Sequence, residues 1–250
     1  MSGGKKLSRR EFLGLAGLST LAGGITCLAS ALSAWLLSRP PIPSPTLPPS
    51  RPPYAKHIQR PPIVTREDWG ARPPNHDAKN EHGFFSAENP EGWRVYQDDL
   101  RAIYRTVVVH HAAEYKGDDL STVRHIQDEH IEERGWADVA YHFLVGKSGR
   151  VFEGRALNVR GTHVEGYNTG SVGVVFLGRY DREVPPSPQI EAGQQLIDWL
   201  ALFLELTHLA GHFEFNPTTE CPGRYLIPYL DGFALSAGLA RGTGGYVPPS

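Results

Sequence analysis

One short run of β-branched residues constrains the fold of this chain more than any other feature. Residues Tyr104–Ala113 read YRTVVVHHAA, so three consecutive valines lead into two histidines. An apolar run of this length, without alternation, is typical of a strand that is buried in the middle of a sheet. We therefore predict a central strand that carries His110 and His111 at its end.

Two further segments predict strands. Residues Tyr141–Arg155 contain two apolar runs on either side of a Gly-Lys-Ser-Gly stretch, which indicates a hairpin. Residues Ser171–Tyr180, SVGVVFLGRY, predict another buried strand.

Helices are predicted between these strands. Asp118 or Asp119 can cap a helix that runs to about Glu133, in which the apolar residues follow a loose helical period. A serine and a proline at residues 187–188 resemble a cap and first-turn proline for a second helix, which runs to about His208. Strands with intervening helices indicate an α/β domain.

The first 37 residues have the features of an export signal. A basic start with Arg9 and Arg10 precedes Leu13–Leu37, a stretch of 25 residues without a charge. Residues Ser8–Leu13, SRREFL, resemble a twin-arginine signal, and Ala29–Ala31 offers a small-residue cleavage site. The apolar stretch is long enough to span a bilayer, so an uncleaved membrane anchor is the alternative.

Proline separates the export region from the globular part. Residues 38–62 are crowded with proline, a composition that favours extended polyproline conformation and predicts a linker. A disordered leader that is left after signal cleavage is the alternative. We expect one domain of ordinary size at residues 63–235 and a C-terminal tail at residues 236–250. The formal net charge of −2, with 21% charged residues, argues against a strongly basic nucleic-acid-binding protein.

A candidate metal site consists of His110 at a strand end, His212 after Gly211, which is predicted to lie just beyond the end of the second helix, and Cys221. Imidazole and thiolate are ligands that zinc prefers, and a catalytic zinc keeps three protein ligands. Residue type alone is weak support, because the chain has 11 histidines. Cys221 adds to it, since the other cysteine, Cys27, lies in the export region, and a solitary exported thiol is otherwise open to oxidation. A small buried cysteine is the alternative.

Five segments resemble, in content and order, the blocks of peptidoglycan recognition proteins and of phage-type N-acetylmuramoyl-L-alanine amidases. The resemblance covers residues 63–229, and five ordered blocks are far more specific than one motif. The segments are VTREDWGARPP (Val64–Pro74), VVVHHAA (Val107–Ala113), RGWADVAYHFLVGKSGRVFEGR (Arg134–Arg155), GTHVEGYNTGSVGVVFLG (Gly161–Gly178) and GHFEFNPTTECPG (Gly211–Gly223).

The resemblance implies a single domain with a central mixed β-sheet flanked by helices, and a zinc ion (Zn2+) at the floor of a peptide-binding groove. His110, rather than His111, matches the first zinc ligand, and His212 and Cys221 match the other two. The interval from His212 to Cys221 is nine positions, one more than the family pattern. The stretch from Trp69 to His110 is also longer than usual, which predicts either an added wall of the groove or a surface excursion.

The resemblance also implies the chemistry of the site. In this family a zinc ion lowers the pKa of its bound water, which serves as the nucleophile, and polarises the carbonyl of the amide between N-acetylmuramic acid and L-alanine. Tyr141 matches a tyrosine beside the metal whose hydroxyl can hydrogen-bond the water or the developing oxyanion, and an ordinary strand aromatic is the alternative. Thr219 matches a position to which we assign a supporting polar role. No residue is an obvious general base, because Glu220 is as readily a solvated loop charge.

Three residues match substrate contacts of the family. Arg134 and Trp136 fall in the segment that reads the third residue of the stem peptide, in the Gly-Trp version associated with meso-diaminopimelate. His163 matches a groove histidine that can contact the muramyl sugar. The alternatives are a core role for Trp136 and a loop hydrogen bond for His163. Four other histidines are interpreted as structural: His125, His130, His142 and His208.

These features predict an exported enzyme, periplasmic or in the cell envelope, whose partner is peptidoglycan or its muropeptides. We expect a monomer that binds no nucleic acid, tethered to the membrane through residues 1–37 if the apolar stretch is an anchor. Two alternatives remain open: a module that binds peptidoglycan without cutting it, and a zinc peptidase that cuts within the stem peptide. Non-catalytic members typically lose a zinc ligand, so the complete ligand set favours the enzyme.

Overall fold

A mixed sheet organises residues 58–247, the part of the chain that the computed structural model describes. The predicted export region and residues 38–57 of the predicted linker lie outside the described residues. In chain order the strands are β1 (Ile63–Val64), β2 (Thr106–His111), β3 (Phe143–Val145), β4 (Val151–Glu153), β5 (Ser171–Phe176), β6 (His208–Gly211) and β7 (Ala240–Arg241). Their order across the sheet is β1-β4-β3-β5-β2-β6-β7, so β2 lies inside the sheet, as predicted.

Both strand directions occur in the sheet. Strand β2 pairs in parallel with β5 on one side and with β6 on the other. Strands β3 and β4 are antiparallel, with Val145 opposite Val151, which confirms the predicted hairpin. The predicted fold class, an α/β domain with a central mixed sheet flanked by helices, is therefore confirmed.

Helices cover both faces of this sheet. In the described residues they are α1 (Arg66–Trp69), α2 (Leu100–Ile103), α3 (Asp119–Asp128), α4 (Ser187–Phe203), α5 (His212–Phe215) and α6 (Leu230–Ala237). A π-helical turn at Glu129–Glu133 continues α3, and a 3-10 turn at Ile227–Tyr229 precedes α6. The first long helix ends at Glu133, as predicted, and its last turn is π-helical.

The two acidic residues at the start of α3 have different roles. Asp118 is the N-cap, and its carboxylate accepts a hydrogen bond from the backbone N–H of Ser121 at 3.0 Å. Asp119 is buried and accepts hydrogen bonds from the backbone N–H groups of Lys147 and Ser148 in the hairpin turn, at 2.8 and 3.2 Å. Asp119 therefore ties the hairpin to α3, a long-range contact that the local sequence pattern does not contain.

Alternate residues of β5 supply the two layers of the core. Val174 and Phe176 pack with Leu196, Leu200 and Phe233, which belong to α4 and α6. On the opposite face, side chains of β5 and its neighbours pack against α1 and α3, and this smaller cluster comprises Trp69, Val123, Ile126, Val139, Leu144, Phe152, Val175 and Leu177. Fully burying one such side chain contributes about 1.5–3 kcal/mol, so both layers hold the central strands in place.

The predicted second helix is too long at its C-terminal end. Helix α4 ends at Phe203, and His208 begins strand β6 instead of ending the helix. Glu205 has a positive φ of 54°, which breaks the helical path before the strand. The segment His208–Gly211 then fills the position beside β2 in the sheet, which no helix could occupy.

The predicted C-terminal tail at residues 236–250 begins too early. Helix α6 continues to Ala237, and β7 then pairs in parallel with β6. Arg241 donates a hydrogen bond to the carbonyl of Leu209 at 2.6 Å and forms an ion pair with Glu214 at 2.9 Å. The folded domain therefore extends at least through β7.

Among residues 58–247, none of the helices combines the length and the apolar composition that crossing a bilayer requires.

Candidate functional site

The register of two parallel strands brings two histidines together. Val109 of β2 lies opposite Gly211 of β6, so the residues that follow them, His110 in β2 and His212 at the start of α5, lie side by side at the C-terminal ends of these two strands. The centroids of their rings are 4.7 Å apart. Parallel pairing thus joins residues that are 102 positions apart in the chain.

The loop after α5 brings Cys221 to the same place. Helix α5 begins at His212, and the carboxylate of Glu214 accepts a hydrogen bond from the backbone N–H of Gly211 at 2.7 Å. The carbonyl of Cys221 accepts a hydrogen bond from the N–H of Phe213 at 2.9 Å, which closes the loop onto the helix. The longer interval between His212 and Cys221 therefore does not separate the two side chains.

The three side chains offer a donor set that fits zinc. One ligand atom from each of His110, His212 and Cys221 lies within 4.8 Å of the other two. The distance from Cys221 Sγ to His110 Nδ1 is 3.7 Å. Tetrahedral zinc with ordinary Zn–N and Zn–S bonds places these two atoms about 3.6 Å apart. These residues could therefore hold a zinc ion with little rearrangement.

Burial keeps the histidines of this set uncharged. Desolvation lowers the pKa of His110 well below its usual value, and the neighbouring His163 and His212 lower it further. Desolvation also lowers the pKa of His212, and it raises the pKa of the Cys221 thiol to about 12. Neutral imidazoles have a free lone pair for a metal, and a bound cation would compensate the charge of a thiolate.

A chain of hydrogen bonds behind His110 defines its tautomer. His163 Nε2 lies 3.4 Å from the carbonyl oxygen of Ser171, an acceptor, so this nitrogen carries the proton. Neutral His163 then accepts at Nδ1, which lies 3.1 Å from His110 Nε2. His110 therefore donates from Nε2, and its Nδ1 lone pair faces Cys221.

Two glycines make room for the ring of His163. A side-chain Cβ atom at either Gly161 or Gly173 would lie 2.5 Å from His163 Cδ2, closer than real Cβ contacts come. The ring is itself buried. The backbone thus holds His163 against His110, where it contacts the side chain of a candidate ligand and also lines the cleft described below.

We predict that His163→Phe weakens zinc binding by about 10–100-fold, because the loss of an outer partner of a metal ligand typically has this effect. Phenylalanine keeps an aromatic ring but cannot accept the proton of His110 Nε2. Competition with a chromophoric chelator measures the affinity, and the exposed His82→Phe serves as the matched control. Equal affinities in the two variants would contradict the role of His163.

The structure also places the predicted catalytic residues, Tyr141 and Thr219, beside the candidate ligands. The ring centroid of Tyr141 is 5.1 Å from that of His110, and burial raises the pKa of its hydroxyl, which stays protonated. Thr219 accepts a hydrogen bond from the backbone N–H of Cys221 at 3.2 Å, so it supports the ligand loop. Glu220 is exposed.

A cleft of about 450 Å³ adjoins the ligand set. Trp136, His163 and the candidate ligand His212 all contribute to its lining. Arg134 does not line this cleft: its side chain is 58% exposed and pairs with Glu129 at 3.1 Å. The predicted substrate residues Trp136 and His163 thus share one cleft, and Arg134 lies beside it.

The four histidines that the sequence analysis interpreted as structural contact other groups of the domain. His130 accepts a hydrogen bond from the N–H of Ala140 at 2.9 Å, and His142 accepts one from Gly173 at 3.0 Å. His125 pairs with Glu114 at 2.7 Å, and His208 Nδ1 lies 3.0 Å from the hydroxyl of Thr207.

Sequence reasoning missed one contact of the ligand set. The backbone N–H of His111 donates a hydrogen bond to Cys221 Sγ at 3.4 Å. Its ring is turned elsewhere, because Nδ1 accepts a hydrogen bond from the N–H of Tyr180 at 3.1 Å. A backbone group leaves no signal in the sequence, although it stabilises a thiolate in the same way as a side-chain donor would.

Comparisons with known proteins agree with this arrangement. A family model for N-acetylmuramoyl-L-alanine amidase matches residues 100–224, which is half of the chain. The chain is 32% identical over 179 residues to peptidoglycan-recognition protein LB of Drosophila melanogaster, covering 68% of each protein. It is 37% identical over 168 residues to peptidoglycan-recognition protein SC2 of Drosophila simulans, covering 64% of this chain and 80% of the relative.

A solved structure shows the same fold. Peptidoglycan recognition protein LE, in complex with tracheal cytotoxin (monomeric diaminopimelic acid-type peptidoglycan), aligns with a TM-score of 0.54 and 28% identity. The alignment covers 67% of this chain and 92% of that one. On the family match, the sequence relatives and the shared fold, the chain belongs to the family of peptidoglycan recognition proteins and type 2 N-acetylmuramoyl-L-alanine amidases.

Proposed function

We propose that this protein is a zinc-dependent amidase that hydrolyses the amide bond between N-acetylmuramic acid and L-alanine in peptidoglycan. The observation that carries the proposal is the complete set of His110, His212 and Cys221, whose ligand atoms lie within 4.8 Å of one another beside a cleft. A protein that only bound peptidoglycan would not need such a set. Its presence favours the enzyme over the binding module.

The residues around the ligands have separate tasks in this proposal. A zinc ion bound there supplies a water of lowered pKa and polarises the substrate carbonyl. Tyr141 donates its hydroxyl proton in a hydrogen bond to the carbonyl oxygen as negative charge develops on it. His163 holds His110 in the required tautomer, and Thr219 holds the backbone of Cys221. Trp136 contacts the stem peptide from the wall of the cleft.

The proposed substrate follows from the relatives and from the cleft. The related protein LE binds a monomeric diaminopimelic acid-type peptidoglycan, and this chain has the Gly-Trp pair at residues 135–136. Trp136 is partly buried and lines the cleft, so its ring is accessible to a ligand. We therefore expect muropeptides with meso-diaminopimelate at the third position to bind.

Mass spectrometry of digested muropeptides tests the proposal. We expect the zinc-loaded protein to release the intact stem peptide with a free L-alanine amino group and to leave a lactyl carboxylate on the sugar. Shortened stem peptides with the muramyl bond intact would identify a peptidase instead. Tight binding without any cleavage, in a protein shown by metal analysis to contain zinc, would identify a binding module.

We further propose that the protein acts outside the cytoplasm, in the periplasm or cell envelope. Peptidoglycan lies there, and residues 1–37 carry the twin-arginine-like signal or anchor described above. Cell fractionation tests this location, and recovery of the mature activity from the cytoplasm alone would contradict it.

A further inference from the structure

The long stretch before β2 contains a segment whose contacts go beyond those of a surface loop. We call residues 75–98 the excursion. Its buried side chains include Ala78 and Trp93, which pack with Ala137 and Val159 in a small core of their own. The excursion is therefore anchored next to the loop at residues 134–137, which we call the reading loop because the family resemblance assigns peptide recognition to it.

Backbone groups of the reading loop are bonded to the start of the excursion. The N–H of Asn80 donates to the carbonyl of Gly135 at 2.7 Å, and the side-chain amide of Asn80 donates to the carbonyl of Arg134 at 2.8 Å. The N–H of Asn75 donates to the carbonyl of Ala137 at 2.7 Å. Gly135 has a positive φ of 64°, and a Cβ atom there would lie 3.2 Å from Lys79 Cβ.

Glu81 connects the reading loop to the core. Its carboxylate accepts a hydrogen bond from the N–H of Ala137 at 2.9 Å. The same carboxylate forms two parallel hydrogen bonds with the guanidinium of Arg155, at 2.6 and 2.7 Å, and both residues are buried. Bidentate pairs of this kind are strong and geometrically specific. Through Glu81, the backbone of Ala137 is therefore held at a fixed position relative to the buried Arg155.

The excursion also forms part of the cleft. Asn80, Glu81 and Glu91 line it together with Trp136 and His212, the latter a candidate zinc ligand. The sequence predicted that the long stretch before β2 forms either an added wall of the groove or a surface excursion. Because Asn80, Glu81 and Glu91 line the cleft, this part of the stretch forms a wall. The wall and the reading loop share the hydrogen bonds of Asn80 and Glu81.

We propose that Asn80 and Glu81 are positioning residues, which hold the reading loop in its binding conformation and so set the selectivity of the cleft for the third residue of the stem peptide. This inference rests on the proposed function for its substrate class. A loop that is held before the ligand arrives does not lose conformational entropy on binding, so a released loop binds more weakly. It also presents Trp136 in several positions and discriminates less between ligands.

Asn80→Ala and Glu81→Gln test this role in the zinc-loaded protein. Two muropeptides that differ only at the third residue, meso-diaminopimelate or L-lysine, are compared by kcat, KM and calorimetric Kd. We expect kcat/KM for the preferred muropeptide to fall about tenfold through KM, with kcat nearly unchanged, and the preference ratio to fall towards one. Hydrogen exchange at residues 134–139 should become faster in both variants.

Glu88→Gln is the matched control, because Glu88 is an exposed carboxylate of the same excursion. A purely structural role of the excursion would lower kcat/KM equally for both muropeptides, and this result, or an unchanged preference ratio, would overturn the inference. Asn80→Ala keeps the test valid if Glu81→Gln does not fold. If the wild-type protein binds muropeptides without cleaving them, the proposed amidase function fails, and the ratio of the two Kd values still tests the positioning residues.

Discussion

Cys221→Ser should weaken zinc binding strongly and remove nearly all amidase turnover while the domain stays folded. A serine hydroxyl is a much poorer ligand than a thiolate, and zinc prefers imidazole nitrogen and thiolate sulfur. Loss of a direct ligand should weaken zinc binding by more than the roughly 10–100-fold expected from the loss of an outer partner. Turnover should fall by about a thousandfold or more, because a bound zinc ion contributes several kcal/mol to stabilising the transition state.

The fold should tolerate this change because Cys221 lies in a loop. Its backbone bonds to Phe213 and Thr219 do not involve the thiol. Metal analysis, circular dichroism and the muropeptide assay together measure the outcome, with Cys27→Ser in the full chain as the control for the same chemical change. A variant that retains zinc and activity would remove Cys221 from the site. A variant that loses its circular dichroism signal would show that the thiol, or its metal, maintains the fold.

Sequence patterns predicted those parts of the structure in which local residues decide the outcome. The run Val107–Val109 is apolar and β-branched, and it lies in an interior strand of the sheet, between β5 and β6. The hairpin at Tyr141–Arg155 follows from two apolar runs and a glycine-rich turn. Strand β6 was missed because His208–Gly211 is short and contains no β-branched residue. It is a strand because β2 and β7 pair with it, which is tertiary information.

The candidate site likewise has parts that the sequence predicted and parts that it did not. The identities of His110, His212 and Cys221 came from ordered family blocks, and the register of β2 and β6 supplies the physical reason for their proximity. The bond from His163 to His110 depends on a loop path and on space left by glycines, which no motif spacing reports. Glu81 and Arg155 are 74 positions apart in the chain, so a local sequence pattern could not predict their ion pair either.

Tyr141→Phe should lower kcat by about 100- to 1,000-fold, the effect expected from removing one oxyanion donor. The ring centroid of Tyr141 lies 5.1 Å from that of His110, so its hydroxyl belongs to the surroundings of the candidate ligands. Burial raises the pKa of this hydroxyl, so it remains a protonated donor at neutral and moderately alkaline pH. Phenylalanine preserves the ring packing against His110 and His130 but removes the donor.

The pattern of kinetic constants distinguishes this role from a structural one. A donor that acts on charge developing in the transition state changes kcat and kcat/KM together, and it leaves KM and the zinc content nearly unchanged. Tyr167→Phe is the matched control, because Tyr167 is an exposed tyrosine that packs against Phe215 and Tyr246 and not against His110. If Tyr141→Phe raised KM alone, Tyr141 would contribute to ground-state binding, and the stabilisation of the oxyanion would have to come from another group near His110 and Cys221.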